Sequence, residues 1–184
     1  MWGFTETEIT TVLYNSAEAR QWPDEKVGEA LTMMRAFYNG YSFSYELPPL
    51  LYNPTSALYF LQHLQLFGAY PRQMYDSNLV MDRAKIAYIA QLPHGEPLLM
   101  AALQGEPPVT VKKIEDRFGV ERMLQADHDT TFMASLLYYF GVLTLREAVT
   151  AGGEAVLHIP NLLARNLYAD RIQQLLLPDV AERE

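Results

Sequence analysis

The residues at positions 24–26 have the spacing of a nuclease motif. Asp24-Glu25-Lys26 places an acid two residues before a lysine, as in magnesium nucleases whose carboxylates hold the metal while the lysine meets the scissile phosphate. The tripeptide follows Pro23 at a predicted helix start, where acidic side chains interact favourably with the helix dipole. We therefore interpret it as the first turn of a helix.

The histidines are the next candidates for chemistry. Asp127-His128-Asp129 contains metal-ligand residue types, but consecutive side chains point in different directions and no second histidine lies four residues on. We interpret this segment as a helix cap. His63, His94 and His158 are isolated in the sequence, which is typical of surface or hydrogen-bonded core histidines rather than of ligands or general bases.

The chain lacks the sequence motifs for nucleotide hydrolysis and for acyl transfer. Gly95 and Gly105 are not followed by the Gly-Lys pair of a phosphate-binding loop, and no Gly-x-Ser-x-Gly segment occurs. The chain has no cysteine, which excludes disulfides, thiolate metal sites and a cysteine nucleophile. The sequence predicts that this chain is not an enzyme by itself and binds no cofactor or metal.

An aromatic segment at residues 37–45 is a candidate interaction surface. Tyr38, Asn39 and Tyr41 are placed to stack on a base or a peptide. The favoured alternative is structural: Phe37 faces the core, Asn39 and Gly40 end a helix, and the following aromatic residues pack a hairpin. Two basic residues of the predicted last helix, Arg165 and Arg171, complete the set of candidate contacts.

Charge and hydropathy limit the class of protein. The 184 residues include 22 acidic and 14 basic side chains, a net charge of -8 that disfavours nucleic-acid binding without closing that alternative. The hydrophobic fraction of 49% is enough for a buried core, yet no apolar run approaches a membrane span. The first residues have neither the basic nor the apolar part of an export signal, so we expect a cytoplasmic protein with no membrane partner.

Helix signals dominate the first half of the chain. Thr5 and Glu8 have capping-box spacing before a helix expected to reach about residue 14, and a second helix should run from Pro23 to Gly40. The residues between Tyr41 and Tyr52 suit two short strands and a loop. Further helices are expected at residues 53–68, after an Asn-Pro start, and at 78–91, after a serine cap.

Strand signals appear in the second half. A Gly- and Pro-rich linker at residues 93–108 should hold one short helix, and a strand should follow at 109–111. Asp129 or Thr130 caps an apolar helix running to Phe140. Gly152-Gly153 should join two strands at 142–146 and 155–159 into a hairpin, and Pro160-Asn161 should open the last helix.

These elements predict a mainly α fold with small β-hairpins, in which a helical bundle is followed by a winged-helix-like C-terminal part. The expected divisions are a helical subdomain with a short hairpin at residues 1–92, the linker at 93–108 and a winged-helix-like subdomain at 109–184. The winged-helix interpretation is an analogy of fold and carries no function by itself.

Five ordered motifs then resemble a known family. They are Gly3-Phe4-Thr5, Phe37-Tyr38-Asn39-Gly40-Tyr41-Ser42-Phe43, Leu51-Tyr52-Asn53-Pro54-Thr55-Ser56, Ser135-Leu136-Leu137-Tyr138-Tyr139-Phe140-Gly141-Val142-Leu143-Thr144, and Ile159-Pro160-Asn161. Their order and spacing, over nearly the whole chain, resemble the bacterial and archaeal AAA-ATPase-like domain family that is commonly followed by a PD-(D/E)xK nuclease domain.

The resemblance implies a position within a larger architecture. Such proteins carry a P-loop ATPase core upstream and often a nuclease-like domain downstream, so this chain would be the helical, wing-containing part after the core. No family catalytic residue maps onto it. The expected function is a non-catalytic accessory or regulatory module whose partner is the ATPase core or another protein domain. A winged-helix DNA-binding module is the alternative, and a small-molecule enzyme or nuclease ranks last because no acid, base and nucleophile converge.

Overall fold

The computed structural model describes residues 3–44, 49–75, 88, 92, 94–105, 107–115 and 129–176, without the side chains at 147, 148, 171 and 174–176. These residues form helices α1 (Glu6–Arg20), α2 (Asp24–Tyr38), α3 (Pro54–Phe67), α4 (Gly95–Gln104), α5 (Thr130–Tyr139) and α6 (Leu162–Leu176), and strands β1 (Val109–Val111), β2 (Thr144–Val149) and β3 (Ala155–His158). The predicted mainly helical fold with a little β-structure is confirmed.

The chain divides into two compact units. The first contains Met1–Asn78 together with Pro160–Leu163, and the second contains Leu79–Ile159 together with Ala164–Glu184. Helix α4, which the sequence placed in a linker, lies within the second unit. None of the described helices has both the length and the apolar composition needed to span a lipid bilayer.

Helix α1 begins as predicted and ends later than predicted. The Thr5 side chain accepts a hydrogen bond from the Glu8 amide and the Glu8 carboxylate accepts one from the Thr5 amide, so the capping box is present. The helix continues past Tyr14 to Arg20 because Ser16 and Ala17 extend its buried face. These small residues add little to a hydropathy pattern, so the predicted end of the helix was too early.

Helices α2 and α3 bury one face each. Tyr38 is completely buried whereas Phe37 is half-buried, so the expectation that Phe37 occupies the core was wrong. The buried positions Val27, Ala30, Leu31, Met34 and Tyr38 recur at helical spacing, and Phe37 lies beside that stripe. The cap of α3 is as predicted, with the Asn53 side chain accepting from the Ser56 amide, Pro54 at the first position and Gly68 at the C-terminus.

The predicted strands between Tyr41 and Tyr52 are reduced to two isolated antiparallel bridges. Tyr41 pairs with Leu51, and Tyr52 pairs with Phe4, which lies just before α1. No longer ladder forms among the described residues because the chain turns directly from Tyr52 into the cap of α3. The predicted helix at 78–91 lies almost entirely outside the described residues.

The second unit is built around a three-stranded antiparallel sheet with strand order β1-β3-β2. The predicted hairpin is confirmed, with Thr144 opposite His158, Leu145 opposite Leu157 and Val149 opposite Ala155. The strand at 109–111 is confirmed as well, and its pairing with β3 was not predicted. Helix α5 is capped by Asp129, one of the two predicted caps, and buries every residue from 132 to 138. Each large apolar side chain buried there contributes about 1.5–3 kcal/mol.

Candidate functional site

Residues from distant motifs meet in the first unit. The Asn161 side-chain Nδ2 donates to the Asn39 carbonyl oxygen at 3.0 Å, and the Asn39 side-chain Oδ1 accepts from the Gly40 amide at 2.7 Å. The contact joins the segment that ends α2 to the segment that begins α6, 122 residues apart. Asn39 is thereby fixed by both its backbone and its side chain.

Gly40 makes this contact sterically possible. Its φ of +109° lies in the region that disfavours side chains, and a Cβ atom at this position would lie 2.0 Å from the Pro160 carbonyl oxygen. The backbone at Gly40 therefore packs directly on the backbone at Pro160. Only glycine satisfies both requirements.

Two other motif segments attach to the same place. The Tyr52 amide donates to the Phe4 carbonyl oxygen at 2.8 Å, and the Asn53 amide donates to the Tyr38 carbonyl oxygen at 3.0 Å. We call this cluster of hydrogen bonds and close backbone contacts the motif junction. It consists of Phe4, Tyr38, Asn39, Gly40, Tyr52, Asn53, Pro160 and Asn161. Its hydrogen bonds tie together the start of α1, the end of α2, the start of α3 and the start of α6.

A polar network lies on one side of the junction. The Glu6 carboxylate accepts from Arg35 Nε at 2.8 Å, forms an ion pair with Arg35 Nη2 at 2.6 Å, and accepts from the Tyr52 hydroxyl at 2.5 Å. Tyr52 is completely buried, whereas the Glu6 and Arg35 side chains are 37% and 54% exposed. The network satisfies the buried hydroxyl with a carboxylate that reaches it from the surface.

The network shifts the pKa values of its members. Burial by itself would raise the pKa of Glu6, but hydrogen bonds from Arg35 and Tyr52 and the positive charge of Arg35 outweigh it, so the pKa is lowered. Burial, followed by the hydrogen bond to Glu6, raises the pKa of Tyr52. Tyr52 therefore stays a neutral donor and Glu6 a charged acceptor at neutral pH, which stabilises the junction and leaves neither group as a proton shuttle.

The residues that were first considered as catalytic or metal-binding candidates have structural roles. Asp24 begins α2, and Lys26 donates to the Gly68 carbonyl oxygen at 2.6 Å, so the tripeptide starts a helix and caps another. Asp129 caps α5, while Asp127 and His128 lie outside the described residues. Within the described ranges, no three His, Asp or Glu residues are arranged to hold a metal ion.

His158 lies on β3 in a partly buried position. Its Nδ1 is buried and has no hydrogen-bond partner in the described part of the chain. Burial, and then the charge of Arg146, lowers the pKa of the imidazole, so the ring is neutral at neutral pH. The side chain sits on β3 opposite Thr144 and has no nucleophile or carboxylate in an arrangement for catalysis among the contacts described.

The five candidate interaction residues are divided between the two units. In the first unit, Tyr38 is fully buried with its hydroxyl 3.5 Å from the Met74 sulfur, so its ring presents no surface to a partner. Asn39 belongs to the motif junction, and Tyr41 is half-buried and stacks on Phe43. In the second unit, Arg165 is exposed and donates to the Leu103 carbonyl oxygen at 2.6 Å, whereas the Arg171 side chain lies outside the described part.

The outer face of α3 is an apolar surface that was not predicted from the sequence. Leu58 and Leu66 are 53% and 63% exposed, lie eight residues apart on one line of the helix, and flank Gln62. An adjacent line of the helix holds the rings of Tyr59, His63 and Phe67. The ring centroids of His63 and Phe67 lie 4.7 Å apart, and Phe67 is 69% exposed. We call these six residues the α3 face.

The α3 face has no acidic or basic side chain other than the imidazole of His63. Helix α3 contains no Asp, Glu, Lys or Arg, which is unusual for a helix with one side in water. That absence was the signal available in the sequence. The pattern of apolar residues indicated only the core positions of the helix, because periodicity identifies the buried stripe and does not show what covers the opposite side.

The chain was compared with known proteins by sequence and by structure. No protein-family model, no curated protein and no solved structure matches it. The function is therefore inferred from the residues and contacts of this chain.

Proposed function

We propose that this chain is a non-catalytic interaction module that docks through its α3 face on the P-loop core of an AAA-ATPase-like protein and responds to the nucleotide state of that core. The observation that carries the proposal is the exposure of Leu58, Leu66 and Phe67 on a helix without charged residues. Contiguous apolar surface on a folded domain marks interaction sites.

The energetics favour a protein partner for this face. Moving a Leu or Phe side chain from water into a packed interface contributes about 1.5–3 kcal/mol, and aromatic side chains are enriched among the residues that dominate interfaces. Gln62 and His63 supply polar atoms between the apolar groups. A face with this composition matches a protein groove better than a phosphate backbone, which is recognised by Lys and Arg.

The choice of an ATPase core as the partner rests on the motif resemblance and on the structural contacts that the motif residues make. Asn39, Gly40, Tyr52 and Asn161 are engaged in structural contacts rather than arranged as acid, base or nucleophile. Such contacts suit an accessory part that must keep a defined shape against a neighbour. The chemistry would belong to the neighbour.

A binding experiment with a defined partner tests the proposal. The partner is the P-loop core, expressed separately, of an AAA-ATPase-like protein whose C-terminal part carries the Tyr-Asn-Gly-Tyr and Ile-Pro-Asn motifs. Calorimetry should show saturable binding with an affinity that differs between the ADP-bound core and the core bound to a non-hydrolysable ATP analogue. Leu58→Glu combined with Leu66→Glu should weaken binding at least about tenfold, since two charges would be buried in the interface.

Val12→Glu is the matched control, because Val12 is also an exposed apolar residue but lies on α1. It should leave the affinity unchanged, and circular dichroism should show that all variants keep their helix content. Equal loss of binding in both kinds of variant would remove the α3 face from the proposal. Saturable ATP hydrolysis by the pure chain would remove its non-catalytic role.

A winged-helix DNA-binding module is the second candidate. The order of α4, β1, α5 and the β2–β3 hairpin, with β1 paired to β3, supports this topology. Helix α5 would then be the recognition helix, yet it has no Lys or Arg and its residues 132–138 are buried. The net charge of -8 also opposes binding to phosphates, which leaves a wing used for protein contact as the better interpretation.

Gel retardation of duplex DNA at low salt decides between these uses. We expect no retardation. A complex that weakens steeply with added salt and is lost in Arg165→Ala would favour the DNA-binding module instead.

A further inference from the structure

A cavity of about 330 Å³ opens where α1 turns into α2. It is lined by two aromatic residues, Tyr14 and Trp22, two acidic residues, Glu18 and Asp24, and the small or amide residues Asn15, Ala17 and Gln21. Gln21 has a left-handed backbone conformation that ends α1 and turns the chain, which brings Trp22 and Asp24 to the last turns of that helix. Aromatic, anionic and amide groups thus share one concave surface.

The electrostatics of the cavity favour a cation. Glu18 and Asp24 are exposed, and neither forms an ion pair within the described residues, where the pair formed is Glu6–Arg35. The nearby Lys26 ammonium donates to the Gly68 carbonyl oxygen at 2.6 Å and lies 4.6 Å from the Trp22 ring centroid, so it contacts the ring rather than a carboxylate. The C-terminal end of α1 adds partial negative charge.

The side chains present select among cations. A guanidinium group is planar, stacks on aromatic rings and donates to carboxylates through parallel N–H groups, whereas an ammonium is a strongly hydrated point charge. Tyr14 is 51% exposed and offers a ring for stacking next to the Glu18 carboxylate. The volume is at the lower end of the range for small-molecule sites and is large enough to admit an arginine side chain.

We propose that this cavity binds the guanidinium group of an arginine side chain presented by a protein partner. Tyr14 supplies the stacking surface, Glu18 and Asp24 accept the hydrogen bonds, and Asn15 and Gln21 close the rim. The site lies on α1 and the turn after it, apart from the residues of the α3 face, so it adds a second recognition element and does not depend on the proposed ATPase partner.

Tryptophan fluorescence reports on this site directly. The chain has two tryptophans, so Trp2→Phe leaves Trp22 as the single reporter. Titration with N-acetyl-arginine amide should give a saturable change in Trp22 emission, and N-acetyl-citrulline amide, which has the same shape without the charge, should give none. N-acetyl-lysine amide should bind at least several-fold more weakly.

Single substitutions locate the binding groups. Glu18→Gln and Asp24→Asn should each weaken arginine-amide binding by about tenfold, since each removes a charge-assisted hydrogen bond. Glu25→Gln, which removes an equal charge one residue from the cavity wall, should leave binding within about twofold, with all variants unchanged by circular dichroism.

Two results would overturn the proposal. One is the absence of a saturable response to arginine amide, or an equal response to citrulline amide. The other is tighter binding of free arginine than of the capped amide, which would assign the cavity to a free amino acid instead of a protein side chain.

Discussion

The Asn161 side chain hydrogen-bonds to the Asn39 carbonyl oxygen across 122 residues of chain. This bond holds the start of α6 on the end of α2 and is supported by the close packing of Gly40 on Pro160. Because the groups involved are a side-chain amide and backbone atoms, the arrangement specifies shape and does not supply a reactive group. Its consequences are therefore expected in stability.

Replacing Asn161 should destabilise the first unit. Asn161→Ala removes the donor to the Asn39 carbonyl oxygen, and we expect the free energy of unfolding to fall by about 1–3 kcal/mol. Urea denaturation followed by circular dichroism measures the change. Leu162→Ala, at an adjacent residue that is 45% exposed, should cost less than about 0.5 kcal/mol. Equal effects of the two substitutions would show that the hydrogen bond is unimportant.

Two glycines with positive φ should differ sharply when changed to alanine. Gly40→Ala combines an unfavourable φ of +109° with a clash against the Pro160 carbonyl oxygen, and should cost at least about 3 kcal/mol. Gly68→Ala, with a φ of +64° and no atom within 4 Å of the added Cβ, should cost only about 1 kcal/mol. Thermal unfolding of both variants provides the comparison. A similar loss in each would contradict the close approach at Pro160.

The Glu6 network should make stability depend on pH in the acidic range. The pKa of Glu6 is lower in the folded chain than its ordinary value of 4.5, so the unfolded chain takes up a proton first as the pH falls. The contribution is present above pH 4.5 and is lost as the pH falls through the folded-state value. Urea midpoints measured from pH 6 to pH 3 should decline less in Glu6→Gln than in the parent chain. Parallel declines would argue against the network.

His158 should add a second pH dependence at higher pH. Burial lowers its pKa below 6.5, so the neutral ring favours the folded state above pH 6.5 and this stability is lost as the pH falls through the folded-state value. His158→Gln should remove that part of the slope. Arg146→Gln should reduce it, because the Arg146 charge contributes to the lower pKa. An NMR titration of the His158 ring that gives a pKa at or above 6.5 would refute this prediction.

Local signals predicted the helix starts well. The caps at Thr5, Asn53 and Asp129 were correctly assigned because the donor and acceptor lie three residues apart in the sequence. The hairpin around Gly153 was predicted for the same reason, since its turn geometry depends on neighbouring residues. The end of α1 was missed because Ser16 and Ala17 are buried without being strongly hydrophobic.

The candidate interaction residues show the limit of such signals. Tyr38 and Phe37 are adjacent. The sequence offered Tyr38 as a candidate interaction residue and placed Phe37 in the core, whereas Tyr38 is buried and Phe37 is half-buried. A shift of one residue rotates a helix by about 100°, so small errors in the phase of the pattern exchange buried and exposed positions. The α3 face was not predicted because the spacing of apolar residues shows which side of a helix is buried and does not show whether the other side is covered by the rest of the chain.

By itself, the sequence determined the helical composition, the positions of most caps, the hairpin and the absence of cysteine chemistry. Only the tertiary structure decided that Asn39 meets Asn161, that β1 pairs with β3, and that Tyr14, Glu18, Trp22 and Asp24 share a cavity. The physical reason is the range of the interactions. Caps and turns depend on residues three or four positions apart, whereas long-range contacts depend on how the complete chain buries its apolar surface.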